Sequence, residues 1–300
     1  MEYKLVKQVK DDEILRKSFN ELTQQTFGFD FEDWYQRGHW QDMYIPYVLI
    51  DGDKVVSNVS VNLIQFDVKG EQKKYIQLGT VMTNEAYRGC GLNRKIMELI
   101  MAEYQGKVDG IYLFGNDEVL EYYPKFGFIP SKEYEYYMPC DNMENVKAYD
   151  IQKMDMKDET WSEKLYDIIR KYSDNIENKD NENDALYMSE NLGLYQFWLF
   201  AGFGENVYYL SEIGAYIIAE VDGKILRIHQ IFGREKVDIR RFAKNFVDNI
   251  EEVAFSYTPY HTENLLVREH NEEDSTLFIF GEDLQRIERD KMIFPVMSHA

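Results

Sequence analysis

The same order of elements is written twice along this chain, and each copy turns on an Asp-Gly pair. YVLIDGDKVVSNVSVNLIQF places Asp51-Gly52 between two β-branched runs, and AYIIAEVDGKILRIHQIF places Asp222-Gly223 between two more. Asp-Gly between apolar strands is a strong local hairpin signal, because the tight turn needs positive φ that few other residues accept. Upstream of each hairpin stand a strand pattern and an amphipathic helix with acids in its first turn. These are YKLVKQV with DDEILRKSFNELTQQTF (Ile14, Leu15, Phe19 and Leu22 at helical spacing), and AYDIQKM with KDETWSEKLYDIIRKY. We read a degenerate internal duplication: two units of mixed strand and helix, of α+β class. A length of 300 residues suits two domains, and 44% hydrophobic residues can fill both cores. The units are placed at 1–140 and 146–300, with DNMEN between them and SDNIENKDNEND as a polar, acidic loop in the second.

The first unit is the richer one. After its hairpin come a strand (YIQLGTVMT), a helix (NRKIMELIMAEYQ), a short buried strand (GIYLFG), a further helix (EVLEYYPKF) and a closing strand (GFIPSKEYEYYMP). Between the first strand and helix of this series lies EAYRGCGLNRKI, with Gly89 and Gly91 one residue apart. A glycine pair at the mouth of a helix is the architecture of an anion cradle. Helix N-termini carry unpaired N–H groups and a partial positive charge, and glycine lets the backbone approach phosphate closely. The corresponding stretch of the second unit, FGREKVDIRRFAKNF, has no such pair before its helix.

Three ligand classes use this device. The Walker loop needs GxxxxGK[ST], which is absent. The dinucleotide fingerprint starting at Gly89 would put Arg94 where close packing wants its third glycine. The third class is the pyrophosphate loop of the GCN5-related N-acetyltransferases, which this stretch resembles. That family's pattern [Q/R]-x-x-G-x-[G/A] is met by Arg88 and Gly91, with Asn93 at the usual Gly or Ala. Its second signature, N-x-x-A-x-x-[LF]-Y-x-K-x-G-F, is matched downstream by NDEVLEYYPKFGF: Asn116, Tyr123, Lys125, Gly127 and Phe128 fall in register, with Val119 at the usual Ala.

The resemblance covers residues 1 to about 139 and implies an α+β GNAT fold, a central mixed, mostly antiparallel sheet flanked by helices, followed by a second, degenerate GNAT-like domain, an Eis-like tandem without a sterol-carrier domain. It implies acetyl-CoA as co-substrate and an amine as acceptor, with a non-catalytic acyl-CoA-binding module as the alternative. The amides of Gly89, Cys90, Gly91, Leu92, Asn93 and Arg94 would grip the pyrophosphate beside Arg88. Val81 and Thr83, on the strand that splays in this family, would meet the acetyl group and pantetheine. Asn116 would hydrogen-bond the pantetheine arm, and Tyr123 would serve as general acid. For a general base, Glu85 and Glu21 are possibilities, and His39 and His299 have no assigned place. The apolar ending KMIFPVMSHA suggests an anchored terminus, so that His299 or the Ala300 carboxylate could reach the first unit's cleft.

Bland readings stand beside these. Tyr123 can be core packing, and Tyr122 next to it can compete for the register. Cys90 has no histidine nearby in sequence and reads as a small loop residue rather than a nucleophile. Phe27, Phe29, Phe31, Trp34, Tyr35 and Trp40 can wall an acceptor cleft or simply pack. A net charge of −20 with no basic stripe disfavours nucleic acid and anionic membranes and favours a cationic partner, besides solubility. Two cysteines are too few for a disulfide framework or a zinc site, so no metal is expected. MEYKLVKQVKDDE lacks the apolar core of a signal peptide, and no run reaches membrane-spanning length, so the chain reads as cytoplasmic. Oligomeric state is not legible.

Overall fold

A computed structural model describes residues 3–173, 184–233 and 235–299; most of the acidic loop and Ala300 lie outside the described residues. The first half runs β1 (Lys4–Lys7), α1 (Glu13–Phe27), α2 (Glu32–Gln36), β2 (Tyr44–Asp51), β3 (Lys54–Val68), β4 (Glu71–Thr83), α3 (Leu92–Tyr104), β5 (Gly110–Gly115), β6 (Ile129–Ser131) and β7 (Glu133–Pro139). The second continues with β8 (Ile151–Met154), α4 (Glu159–Ser173), β9 (Leu186–Glu190), α5 (Leu192–Ala201), β10 (Val207–Leu210), β11 (Ala215–Asp222), β12 (Ile225–Phe232), α6 (Ile239–Ala243), β13 (Glu252–Phe255), β14 (Leu266–His270) and β15 (Thr276–Phe280).

Two sheets result, and they are copies of one plan. The first has the order β1-β2-β3-β4-β5-β15-β6, with β9 added along β3; the second has β8-β10-β11-β12-β13-β7-β14. In each, four strands run antiparallel, the fourth and fifth pair parallel (β4 with β5, β12 with β13), and the next neighbour is antiparallel again. The duplication read from the two hairpins is therefore present in the fold.

The two halves exchange strands. β7 leaves the first half to lie between β13 and β14, and β15 comes from the second half to lie between β5 and β6. The single closing strand expected over GFIPSKEYEYYMP is thus two strands in two different sheets. Hydrophobic alternation sets which face of a strand is buried, but it carries no information about which sheet the strand joins. A cut between residues 140 and 146 severs both exchanges.

The helix expected over EVLEYYPKF is also absent. Two 3-10 turns, Asp117–Val119 and Tyr123–Phe126, take its place. Pro124 has no N–H to donate and biases Tyr123 away from the α region, so the segment closes with short bonds instead, Tyr122 N–H to Val119 O and Lys125 N–H to Tyr122 O. Along α1, Ile14 departs from the expected apolar face and is 61% exposed.

α3 packs on one face of the first sheet with Leu49, Val61, Ile76, Ile96, Ile100 and Leu113. α1 and the loop around α2 cover the other face near Val48 and Val55. On that same face a larger core joins Phe66, Tyr112, Leu165, Leu194, Leu277 and Phe294, so the two halves share one continuous interior.

Candidate active site

β4 and β5 part company halfway along their length. They pair only at Tyr75↔Gly110, Ile76↔Ile111 and Gln77↔Tyr112; from Leu78 onward β4 is bonded to β3 alone, and from Leu113 onward β5 is bonded to β15 alone. The parting coincides with a β-bulge. Asn58 pairs with Met82 and Ser60 with Gly79, so Thr80 and Val81 together oppose Val59. Such an insertion bends the strand and leaves a backbone group out of the ladder. Thr80 takes a φ of 49°, a strained value for a β-branched residue. Its carbonyl accepts from the Asn58 amide at 2.7 Å and its hydroxyl lies 2.9 Å from the Tyr44 hydroxyl, which fix the bulge in place. Val81 is partly buried against the α3 core, and the Thr83 hydroxyl pairs with Ser57 Oγ at 2.8 Å.

The glycine loop follows directly. Gly89 and Gly91 have φ of 77° and 70°, and an added Cβ would meet nothing within 4 Å at either position. The left-handed backbone, rather than crowding, is what requires glycine here. Gly91 caps α3 without any side-chain hydrogen bond, so the first-turn amides meet no side-chain acceptor among the described residues. α6, the matching helix in the second half, differs: the Asp238 carboxylate accepts from the Arg240 and Arg241 amides. The first cradle is open to an anion, and the second is filled by the chain itself. Around the open one, Arg88 lies exposed with its Nε on the Thr83 carbonyl at 3.3 Å, and Arg94 pairs with Glu98 at 2.9 Å. Leu92 is buried and pins the turn to the core, while Cys90 is exposed.

Asn93, the departure from the family pattern, has a structural partner set. Its amide nitrogen donates to the Asn58 carbonyl at 3.4 Å, and its Oδ1 accepts from the Tyr122 hydroxyl at 3.2 Å. The first turn of α3 is thereby tied both to the bulged strand pair and to the turn bearing the tyrosines. Tyr123 is only 3% exposed and packs between Phe128, Phe278 and Tyr122; an added Cβ on Gly115 would come 3.0 Å from its ring. Burial pushes its phenol well above the usual tyrosine value, and burial likewise pushes Tyr122 up to about 12, against the pull of the Arg94 charge. Asn116 is exposed at the end of β5, and the next amide, of Asp117, donates to Asp274 from the β14–β15 loop at 2.8 Å.

On the far face of the sheet, the aromatic group divides. Phe31, Trp34 and Trp40 are buried with Phe19 and Tyr44, whereas Phe27 and Phe29 stay 45% and 40% exposed. α5 joins them: Phe197 lies 6.2 Å from Phe29, and Trp34 Nε1 donates to the Gly193 carbonyl at 3.0 Å. The C-terminal segment is anchored on β5, as its apolar sequence suggested. Phe294 stacks on Tyr112 at 4.0 Å, the Tyr112 hydroxyl donates to Ser298 O, and the His299 ring stacks on Phe114 at 3.8 Å. Burial holds His299 down to about 3, so it is neutral. His39 is held down to about 4 by burial and by Arg37 and Arg170, and its ring meets Tyr166 rather than the splayed strands. Glu21 and Glu85 are exposed. Asn58, Phe114 and Phe278 were not legible as site neighbours, since each reaches its place through strand pairing between segments distant in sequence.

Residues 6–130 match the family model described as acetyltransferase (GNAT) domain. None of the curated proteins matches the chain. Among solved structures, a protein of Enterococcus faecalis V583 described as a probable N-acyltransferase is 16% identical, with 95% of this chain and 74% of that one covered at a TM-score of 0.62. A GCN5-related N-acetyltransferase from Kribbella flavida is 12% identical, with 94% and 72% covered at 0.56. Eis1 from Mycobacterium abscessus is 9% identical, with 92% and 72% covered at 0.53. At these identities the likeness concerns the fold. Residues 6–130 are thus matched to an acetyltransferase (GNAT) domain, which supports acyl transfer in general terms.

Proposed function

We propose that this protein transfers an acetyl group from acetyl-CoA to a primary amine by direct attack within a ternary complex. The observation that carries the reading is the uncapped N-terminus of α3, set beside the bulged, splayed end of β4 with Tyr123 packed below. The amides from Gly89 to Arg94, with Arg88 beside them, hold the pyrophosphate. The backbone freed from the ladder at Thr80 and Val81 receives the thioester carbonyl, the kind of fixed donor that supplies a few kcal/mol at a developing oxyanion. Asn116 and Thr83 line the pantetheine arm. As the C–N bond forms and the C–S bond breaks, Tyr123 gives its proton to the departing thiolate. Burial raises its pKa, so it is protonated in the resting site and the transfer to the thiolate gives only modest help. Residues 1–140 hold this chemistry, and residues 146–300 act as a partner domain that lends β9, β15 and the C-terminal segment.

The test is CoA thiol release from acetyl-CoA across polyamines, aminoglycosides and amino-acid amines. Turnover with an amine is expected, and Tyr123→Phe should lower kcat roughly 100-fold with little change in acetyl-CoA binding. Tight acetyl-CoA binding without turnover across the panel overturns the reading in favour of an acyl-CoA-binding module.

A further inference from the structure

A cavity of about 340 Å³ opens where the two halves exchange strands, within the size range of small-molecule sites. Three of its lining residues, Phe114 of β5, Leu277 of β15 and Ser131 of β6, form one row across the sheet by register. Neighbouring strands lie about 4.8 Å apart, so this row is about 10 Å long. Phe114 belongs to the part of β5 that has left β4 and is bonded to β15 alone, so the cavity borders the splayed end of β5 and runs from it across β15 and β6.

Its charge is one-sided. Glu133, Glu269, Glu272 and Glu288 line it against Lys132 and His270. Lys132 is taken by Glu269 at 2.8 Å, and the His270 ring faces Glu135 at 3.7 Å. Glu133 is the telling member. It is 7% exposed, one of its oxygens accepts the Phe294 amide at 2.7 Å, and among the described residues it forms no direct ion pair, the His270 ring acting on it from longer range. Burial pushes its carboxyl up to about 7. A buried carboxylate without a direct ion pair is costly, and a bound ammonium relieves that cost.

We infer that this cavity holds the second, cationic group of an acceptor bearing two amines, one at the splayed strands and the other beyond the Phe114–Ser131 row, against Glu133. The inference rests on the amine-acetylation reading above and narrows its substrate class to diamines and polyamines. It is tested by kcat/KM for a series of α,ω-diamines and for alkyl monoamines of matched length. Longer diamines should exceed their monoamines at least about tenfold, a difference of about 1.4 kcal/mol. Glu133→Gln keeps an oxygen for the Phe294 amide and should cut that ratio by about the same factor, with an unchanged melting temperature. A ratio near one in the wild type, or one untouched by Glu133→Gln, overturns the inference. Should Glu133→Gln fail to fold, Glu272→Gln on the exposed rim is read in the same way. If no amine is turned over, acetylation itself fails; calorimetry with the same diamines then decides the cavity, Glu133-dependent binding supporting it and absent binding overturning it.

Discussion

Phe278 lies in the C-terminal half but is built into the N-terminal sheet, and replacing it with alanine should damage a site more than a hundred residues upstream. The residue is 1% exposed, pairs with Leu113 of β5, and places its ring 5.3 Å from Tyr123. Truncating a buried phenylalanine typically costs about 3–5 kcal/mol. Against a total stability on the order of 5–15 kcal/mol, that is a large share. The loss falls on the seam between β5 and β15, because Phe278 supplies one wall of the Tyr123 site and covers Gly115. Hydrogen exchange read peptide by peptide should show protection lost over residues 110–128, although the substitution is at 278. Turnover should fall with it as Tyr123 loses its packing. Leu266→Ala, on the edge strand of the other sheet and 51% exposed, is the control and should leave residues 110–128 protected. If Phe278→Ala exchanges like the wild type in β5, or loosens only residues 266–280, the strand exchange is not what holds this site together.

Asn93→Ala and Tyr122→Phe, separately and together, should give a non-additive cycle in urea unfolding, with a coupling of about 0.5–1 kcal/mol from their shared hydrogen bond; additive effects would mean that the bond contributes nothing. For His39 the folded value, about 4, lies below its ordinary 6.5, so the unfolded chain takes up the extra proton between those values. Its contribution is complete above pH 6.5 and is lost as pH falls toward 4, with a slope approaching about 1.4 kcal/mol per pH unit. Unfolding measured at pH 7 and pH 5 should show a smaller pH loss in His39→Gln than in the wild type.

The parts of this fold that were legible are those whose cause is local. Asp51-Gly52 and Asp222-Gly223 dictate hairpins because of their own backbone preferences, and the structure has both. Gly89 and Gly91 marked a loop of positive φ, and that is where they sit. What was hidden depends on partners far along the chain. Nothing within residues 129–139 says that one segment pairs with β15 and the next with β13. Asn93 looked anomalous by pattern alone, since its partners lie 35 and 29 positions away. The misread helix after Asn116 was a different matter: Pro124 was visible, and its veto on the preceding residue was outweighed by an apolar spacing that a pair of 3-10 turns satisfies as well.

Asp238 makes the two halves unequal in a way that ligand concentration does not reverse. A carboxylate carried by the chain itself sits at the amides of α6, and a tethered group competes at an effective concentration in the millimolar range or above. Any dissolved phosphate must displace it from a helix of only five residues. The contest at α6 is settled intramolecularly before a nucleotide arrives, so a titration of this protein with CoA should saturate at one equivalent per chain.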